Sequence, residues 1–200
     1  MLYAGLGGII AQVQTPPILL LSGAPGVGKT SVGWRVFDRC TDLALDPAFA
    51  DLDLLGAAWP APDDDPHQSR LKATNLAAVW SNYARAGSRR LIIAGVVENL
   101  REKQQLEEAT GGHVVICRLD ATDAELARRI HDRGREDGDS LDQLVRRASE
   151  LSAQLAVDDI SDYAVHTTGR TIDQVADEVL RRWQADPAAQ SLEPSPTASQ

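Results

Sequence analysis

Residues 18–31 read ILLLSGAPGVGKTS, an apolar run that breaks into a glycine-rich turn and ends on a lysine and two hydroxyl residues. Gly23, Ala24, Pro25, Gly26, Val27, Gly28, Lys29 and Thr30 satisfy G-x-x-x-x-G-K-[ST] at every fixed position, with Ser31 next in line. A buried strand, a glycine turn and a helix start in this order form a cradle. The glycines let the backbone wrap around a phosphate with its N–H groups inward, at the positive end of the new helix. Lys29 is expected to reach the β/γ-phosphates of a nucleoside triphosphate, and the Thr30 hydroxyl to ligate Mg²⁺. The plain alternative is a tight turn before a helix. The motif leaves open whether the phosphate is transferred or hydrolysed.

With 200 residues and 43% hydrophobic content, the chain suffices for one domain and is short for two. The expected division is an N-terminal extension at 1–16, a core domain at 17–184 and a disordered, Pro/Ser/Ala-rich tail at 185–200. A net charge of −9 argues against a general nucleic-acid binder, which needs a basic face. Cys40 and Cys117 stand far apart without metal-ligand spacing and read as buried small hydrophobes in a reducing compartment. The N-terminus lacks the basic flank and cleavage site of a signal peptide, and no run approaches the ~20 apolar residues of a spanning helix. A soluble, cytoplasmic protein without membrane partners is expected, as a monomer or homodimer.

Apolar runs alternate with helical patterns, which predicts an α/β fold with a parallel sheet covered on both faces. Strands are expected at 18–21, about 48–52, 90–97, 113–119 and 163–167. Helices are expected at 29–40, within 65–87, at 99–110, 122–132, 140–157 and 171–183. The segment "RGREDGDS" separates two of the helices.

Motor-type ATPases keep an acid at the end of the strand beside the phosphate-loop strand, to hold the metal and position water. In this chain "RLIIAG" ends in Gly95 at that point, and Glu98 follows three residues later. The hydrolytic branch loses its usual acid. No N/T-K-x-D guanine signature is present, so ATP is the expected nucleotide.

Three further stretches complete the pattern. Asp51-Leu52-Asp53 closes the second strand, where alternation is expected to put both carboxylates on one side of the ligand-binding edge. "ELARRIHDRGRED", residues 125–137, places Arg129 and Arg133 four apart, with Arg135 beside them and Arg146 on the returning helix. "DYAVHTTGRTIDQVADEVL" joins the last strand to the last helix through Thr168, Gly169 and Arg170, with Thr171 as a candidate N-cap. Each has a bland reading too: a solvated acidic turn, a helix face laced with ion pairs, a simple strand-to-helix turn.

With the phosphate loop, these stretches resemble the P-loop small-molecule and nucleoside-monophosphate kinases, the group of shikimate, gluconate, adenylylsulfate and adenylate kinases. The resemblance covers about residues 17–184, and only the loop is highly specific. It implies a three-layer P-loop NTPase fold with a five-stranded parallel sheet in order 2-3-1-4-5, helices on both faces and a small lid at about 133–142. It also implies ATP and Mg²⁺ as cofactors. By it, Asp51 serves the metal with Thr30, Asp53 is the base or acceptor anchor, and Arg129 packs on adenine beside the turn at Gly169 and Arg170. Arg133 then reaches the transferring phosphate, where guanidinium forks neutralise spread charge while a lid excludes water.

The acceptor is expected between the second and third strands and just after the third. Arg70, Lys72 and Asn75 are the polar candidates, His67 and Trp59 the mouth, and Glu98, Asn99 and Arg101 the far side. A helix start bearing Arg and Lys would suit an anionic or polyhydroxyl acceptor. Trp80 fits the core better than a substrate platform. The function expected is transfer of the γ-phosphoryl group to a small molecule with a hydroxyl or phosphate. A nucleotide-dependent switch module and a small ATPase remain the alternatives.

Overall fold

The computed structural model describes residues 15–134 and 137–187. Most of the expected N-terminal extension, Arg135 of the expected lid and the expected tail from residue 188 lie outside them. Twelve elements follow one another: β1 Ile18–Ser22, α1 Lys29–Asp42, β2 Pro47–Asp51, α2 Leu52–Leu55, α3 Ser69–Arg85, β3 Arg90–Ala94, α4 Leu100–Thr110, β4 Val114–Asp120, α5 Asp123–Arg133, α6 Gly138–Val157, β5 Tyr163–His166 and α7 Ile172–Ala185. The five strands form one sheet in the order β2-β3-β1-β4-β5, and every pair is parallel. This is the expected order and fold.

β1 lies at the centre because its side chains can be nowhere else. Ile18, Leu19, Leu20 and Leu21 are all fully buried, as expected for a continuous apolar run in a sheet covered on both faces. Alternation sends them to two cores. Leu19 and Leu21 join Val36 and Cys40 of α1, Leu126 and Ile130 of α5, and Val179 and Trp183 of α7. Ile18 and Leu20 join Leu76 and Trp80 of α3 and Leu106 of α4 on the other face. Trp80 is a core residue as expected, its indole N–H donating to the Thr110 carbonyl at 3.1 Å. Both cysteines are fully buried, and burial pushes the Cys40 thiol up to about 11 and the Cys117 thiol up to about 12.

The chain crosses from β3 on one side of β1 to β4 on the other, so the sheet's switch point falls at the carboxyl end of β1. Crevices for ligands open at such points. The phosphate loop starts there.

Two expectations need correction. β2 stops at Asp51, and Leu52–Leu55 is a single helical turn that period-2 reasoning missed. Strand alternation therefore does not place Asp53. Asp51 is instead the N-cap of α2, its Oδ1 accepting from the Asp53 backbone N–H at 3.0 Å. β3 ends at Ala94, short of Val97. The helix expected within 65–87 is α3, and ahead of it the Asp65 carboxylate accepts from the N–H groups of Arg70 and Leu71. Among the described residues, no helix is long and apolar enough to cross a membrane.

Gly95, where a hydrolase would carry its acid, has a packing role. A Cβ there would stand 2.6 Å from Leu52 Cδ1 and 2.8 Å from Leu52 Cβ, so the first turn of α2 occupies the space of any side chain. Gly95→Ala should destabilise the fold by about 1–3 kcal/mol, as overpacked cores do. Urea unfolding of the two proteins measures it, and an unchanged midpoint would show that Leu52 gives way freely.

Candidate functional site

The loop between β1 and α1 fits the sheet edge with little room to spare. Gly23 has φ +144°, and a Cβ on it would meet the Leu119 carbonyl oxygen at 2.6 Å. The backbone is thus pressed against the end of β4, and its next residues arch over the N-terminus of α1. Partly buried Lys29 folds its ammonium onto the loop's own carbonyls, at 2.8 Å from Gly23 O and 3.3 Å from Ala24 O. Burial lowers its pKa, Asp53 and Asp51 work in the opposite direction, and Arg133 adds to the lowering. A polyanion beside Lys29 would relieve that desolvation.

Thr30 and Asp51 meet directly: the hydroxyl donates to Asp51 Oδ2 at 2.8 Å. With Oδ1 engaged in capping α2, the Asp51 carboxylate is held by two elements. Two hard oxygen donors at one point suit Mg²⁺, which prefers one or two protein ligands and completes its shell with phosphate oxygens and water. Among the described residues there is no group of three or more His, Cys, Asp and Glu side chains fit to hold a metal by themselves. The donor set fits a metal that arrives with a nucleotide.

A cleft of about 440 Å³ opens beside the loop, lined among others by Gly26, Ser31, Arg129, Arg133, Arg170 and Thr171. Arg129 is its best-held wall. Its guanidinium donates to Val27 O, Thr167 Oγ1 and Thr167 O, each at 3.0 Å, and to Glu125 Oε1 at 2.7 Å. One side chain thereby ties α5, the phosphate loop and the turn after β5. Arg170 is fixed in that turn, donating to His166 O at 3.0 Å and Gln174 O at 2.8 Å, and pairing with Glu178 at 2.8 Å. Gly169 makes the turn with φ +71° but does not line the cleft. Thr171 caps α7 in a full capping box with Gln174. Thr168 accepts from the Thr122 N–H at 3.0 Å. Arg133, in the last turn of α5, has no carboxylate partner among the described residues and reaches Lys29 electrostatically. Arg128 is at the cleft's exposed rim, paired with Glu125 and Asp132, which line it too.

A second cleft, of about 310 Å³, lies between α2, α3, the loop after β3, α4 and α6. Asp53, His67, Lys72 and Glu98 of the sequence candidates line it. The exposed Asp53 carboxylate has no hydrogen bond or ion pair among the described residues. The structure does not bring the others there. Arg70 pairs with Asp64 at 2.7 Å and faces away, Asn75 is spent on the Leu55 carbonyl at 2.7 Å, and Asn99 caps α4 by accepting from the Glu102 N–H. Arg101 lines an adjoining depression with Arg70 and Asn99, which shares His67, Ser69, Glu102 and Gln105 with this cleft; Trp59 is 93% exposed, and Arg146 is exposed on α6 outside both clefts.

Its neighbour Arg147 was missed, and it is the arginine that lines the second cleft, 3.8 Å from Glu98 Oε1. The signal was present: Arg147, Leu151 and Gln154 recur at i, i+4 and i+7, one face of the helix. Leu151 lines the same cleft, and Gln154 donates to Glu98 Oε2 at 3.3 Å.

No family model matches the sequence, and no curated protein matches it either. Solved structures do. A gluconokinase from Sinorhizobium meliloti 1021 aligns over 86% of this chain and 94% of its own, at 21% identity and a TM-score of 0.59. A tunicamycin resistance protein of Deinococcus radiodurans aligns over 84% and 95%, at 19% identity and 0.60. A shikimate kinase from Acinetobacter baumannii, solved with shikimate, aligns over 86% and 95%, at 18% identity and 0.57. At such identities the likeness is one of fold: the chain has the five-stranded P-loop kinase architecture.

Glu125 anchors the wall made by Arg129, and the hydrogen bonds from Arg128, with those from Arg129 behind them, hold its carboxyl down to about 2 against the opposing effect of burial. A carboxyl depressed on folding stabilises the native state above its unfolded value near 4.5, and that contribution fades as pH falls toward about 2. Glu125→Gln should be less stable than the parent at neutral pH, with the difference closing across that acid window. Thermal melts at stepped pH test this, and a pH-independent difference would contradict it.

Proposed function

We propose that this protein is an ATP-dependent phosphotransferase that moves the γ-phosphoryl group onto a hydroxyl of a small molecule. The observation that carries the reading is the pair of clefts, one walled by the phosphate loop and arginines, the other containing Asp53, which has no ion pair among the described residues and acts electrostatically on Lys29. A hydrolase needs only the first. The P-loop kinase fold supports the reading, and the bar on a side chain at Gly95 counts against a water-positioning acid there.

In this proposal the loop from Gly23 to Ser31 wraps the phosphates and Lys29 bridges β- and γ-oxygens. Thr30 and Asp51 would hold Mg²⁺, which would supply charge neutralisation at the phosphates. The fixed guanidinium of Arg129 forms the wall of the nucleobase cleft, with Arg170 and the Gly169 turn closing its end. Asp53 orients the acceptor hydroxyl and takes its proton as the oxygen bonds to phosphorus. The bond from the γ-phosphorus to the bridging oxygen breaks, and ADP leaves. Arg133, without a carboxylate partner among the described residues, moves onto the phosphoryl oxygens as charge spreads over them. Residues 17–184 form the catalytic domain, with 133–142 as the lid that excludes water as a rival acceptor.

Lys29→Ala should cut transfer at least about 100-fold, the scale of a lost oxyanion donor. Asp53→Asn should lose roughly 10²- to 10⁴-fold in turnover while ATP affinity stays within about twofold of the parent. Labelled-ATP assays against metabolite extract, with calorimetric nucleotide binding beside them, measure both. Full turnover in Asp53→Asn would show that another group takes the acceptor's proton.

A further inference from the structure

The second cleft has a chemistry of its own, and it differs from the one expected of a helix start bearing Arg and Lys. Of those cations, Arg70 is committed to Asp64 outside the cleft. What lines it instead is an aliphatic wall of Leu52, Val96, Val97, Leu106 and Leu151, drawn from α2, the loop after β3, α4 and α6. Leu52, Val97, Leu106 and Leu151 are each no more than 4% exposed, so this wall is firm.

Among the described residues, the charged groups facing the cleft are three carboxylates, Asp53, Glu98 and Glu102, against two cations, Lys72 and Arg147. His67 is the remaining titratable side chain. Arg147 is half-exposed and already paired with Glu98, while Glu102 Oε2 accepts from the Glu98 N–H at 2.9 Å. One carboxylate stands in excess. Gln105 adds a polar edge to the lining, with its Oε1 buried and without a hydrogen-bond partner among the described residues.

Resting on the phosphotransferase reading above, we propose that the acceptor is an uncharged or cationic hydroxyl compound with an apolar body, and that anionic acceptors are excluded. The aliphatic wall holds the body. Excess negative charge opposes a carboxylate or phosphate on the same molecule. A volume of about 310 Å³ lies at the small end of ligand sites, which limits the body to about one or two rings. Glu98 acts as the excluding residue: it occupies Arg147, the guanidinium an anionic acceptor would otherwise use.

The test is a set of hydroxyl compounds in matched pairs, each aryl or alkyl alcohol beside the same molecule bearing a carboxylate, with phenyl glucoside and phenyl glucuronide as one pair. Transfer from labelled ATP and equilibrium binding by calorimetry are both read. The neutral member should be preferred at least about tenfold, the effect of one unit of charge at such distances. In Glu98→Gln, which removes the excess charge and frees Arg147, the carboxylate member should gain about tenfold, with melting temperature and ATP binding held as controls. Transfer that favours the carboxylate members in the parent protein would overturn the proposal while leaving the phosphotransferase reading intact. With no transfer to any compound, that reading falls and binding decides the cleft: tighter neutral members uphold its chemistry, and equal or absent binding overturns it.

Discussion

The fit of the phosphate loop against the end of β4 is the constraint on which the rest depends. A Cβ at Gly23 would meet the Leu119 carbonyl oxygen at 2.6 Å, so the backbone there has a single path. That path fixes where α1 begins, and with it the positions of Lys29 and Thr30. Arg129 then locks the far side of the loop by donating to Val27 O while holding the turn after β5. Two segments more than a hundred residues apart are joined by one guanidinium whose five N–H groups suit several acceptors at once.

The same economy shapes the other edge of the site. Asp51 uses one oxygen to cap α2 and the other to meet Thr30, so a local helix cap also sets the distance between two donors fit for Mg²⁺. Because α2 turns immediately, Leu52 is directed onto Gly95 and Asp53 is left free on the cleft side. A single helical turn thus excludes an acid at the end of β3 and presents one beside the second cleft. The chemistry of the two clefts differs accordingly. Arginines dominate the first, and the second sets aliphatic side chains against an excess of carboxylates.

Much of this was legible in the sequence wherever the information is local. The phosphate loop, the five strands, the capping residue Thr171 and the structural place of Trp80 each follow from a short pattern read against a period of 2 or 3.6. The acidic pair at Asp51 and Asp53 was found for a partly mistaken reason, since a helical turn and not strand alternation separates them. Arg147 was passed over for Arg146 because both belong to one basic dipeptide, and only the rotation of α6 in the fold tells them apart. Arg70 and Asn99 were named as candidates although both are held locally, Arg70 by Asp64 six residues back and Asn99 as the N-cap three residues before Glu102, a capping pattern the sequence does carry.

By itself, then, the sequence determined the parallel α/β architecture and its phosphate cradle, because burial periodicity and glycine spacing act between neighbours in the chain. The tertiary structure alone decided which charged groups remain unpaired in the clefts. Pairing depends on which segments meet across the sheet edge, and a few ångströms separate Arg147 beside Glu98 from a guanidinium left in solvent.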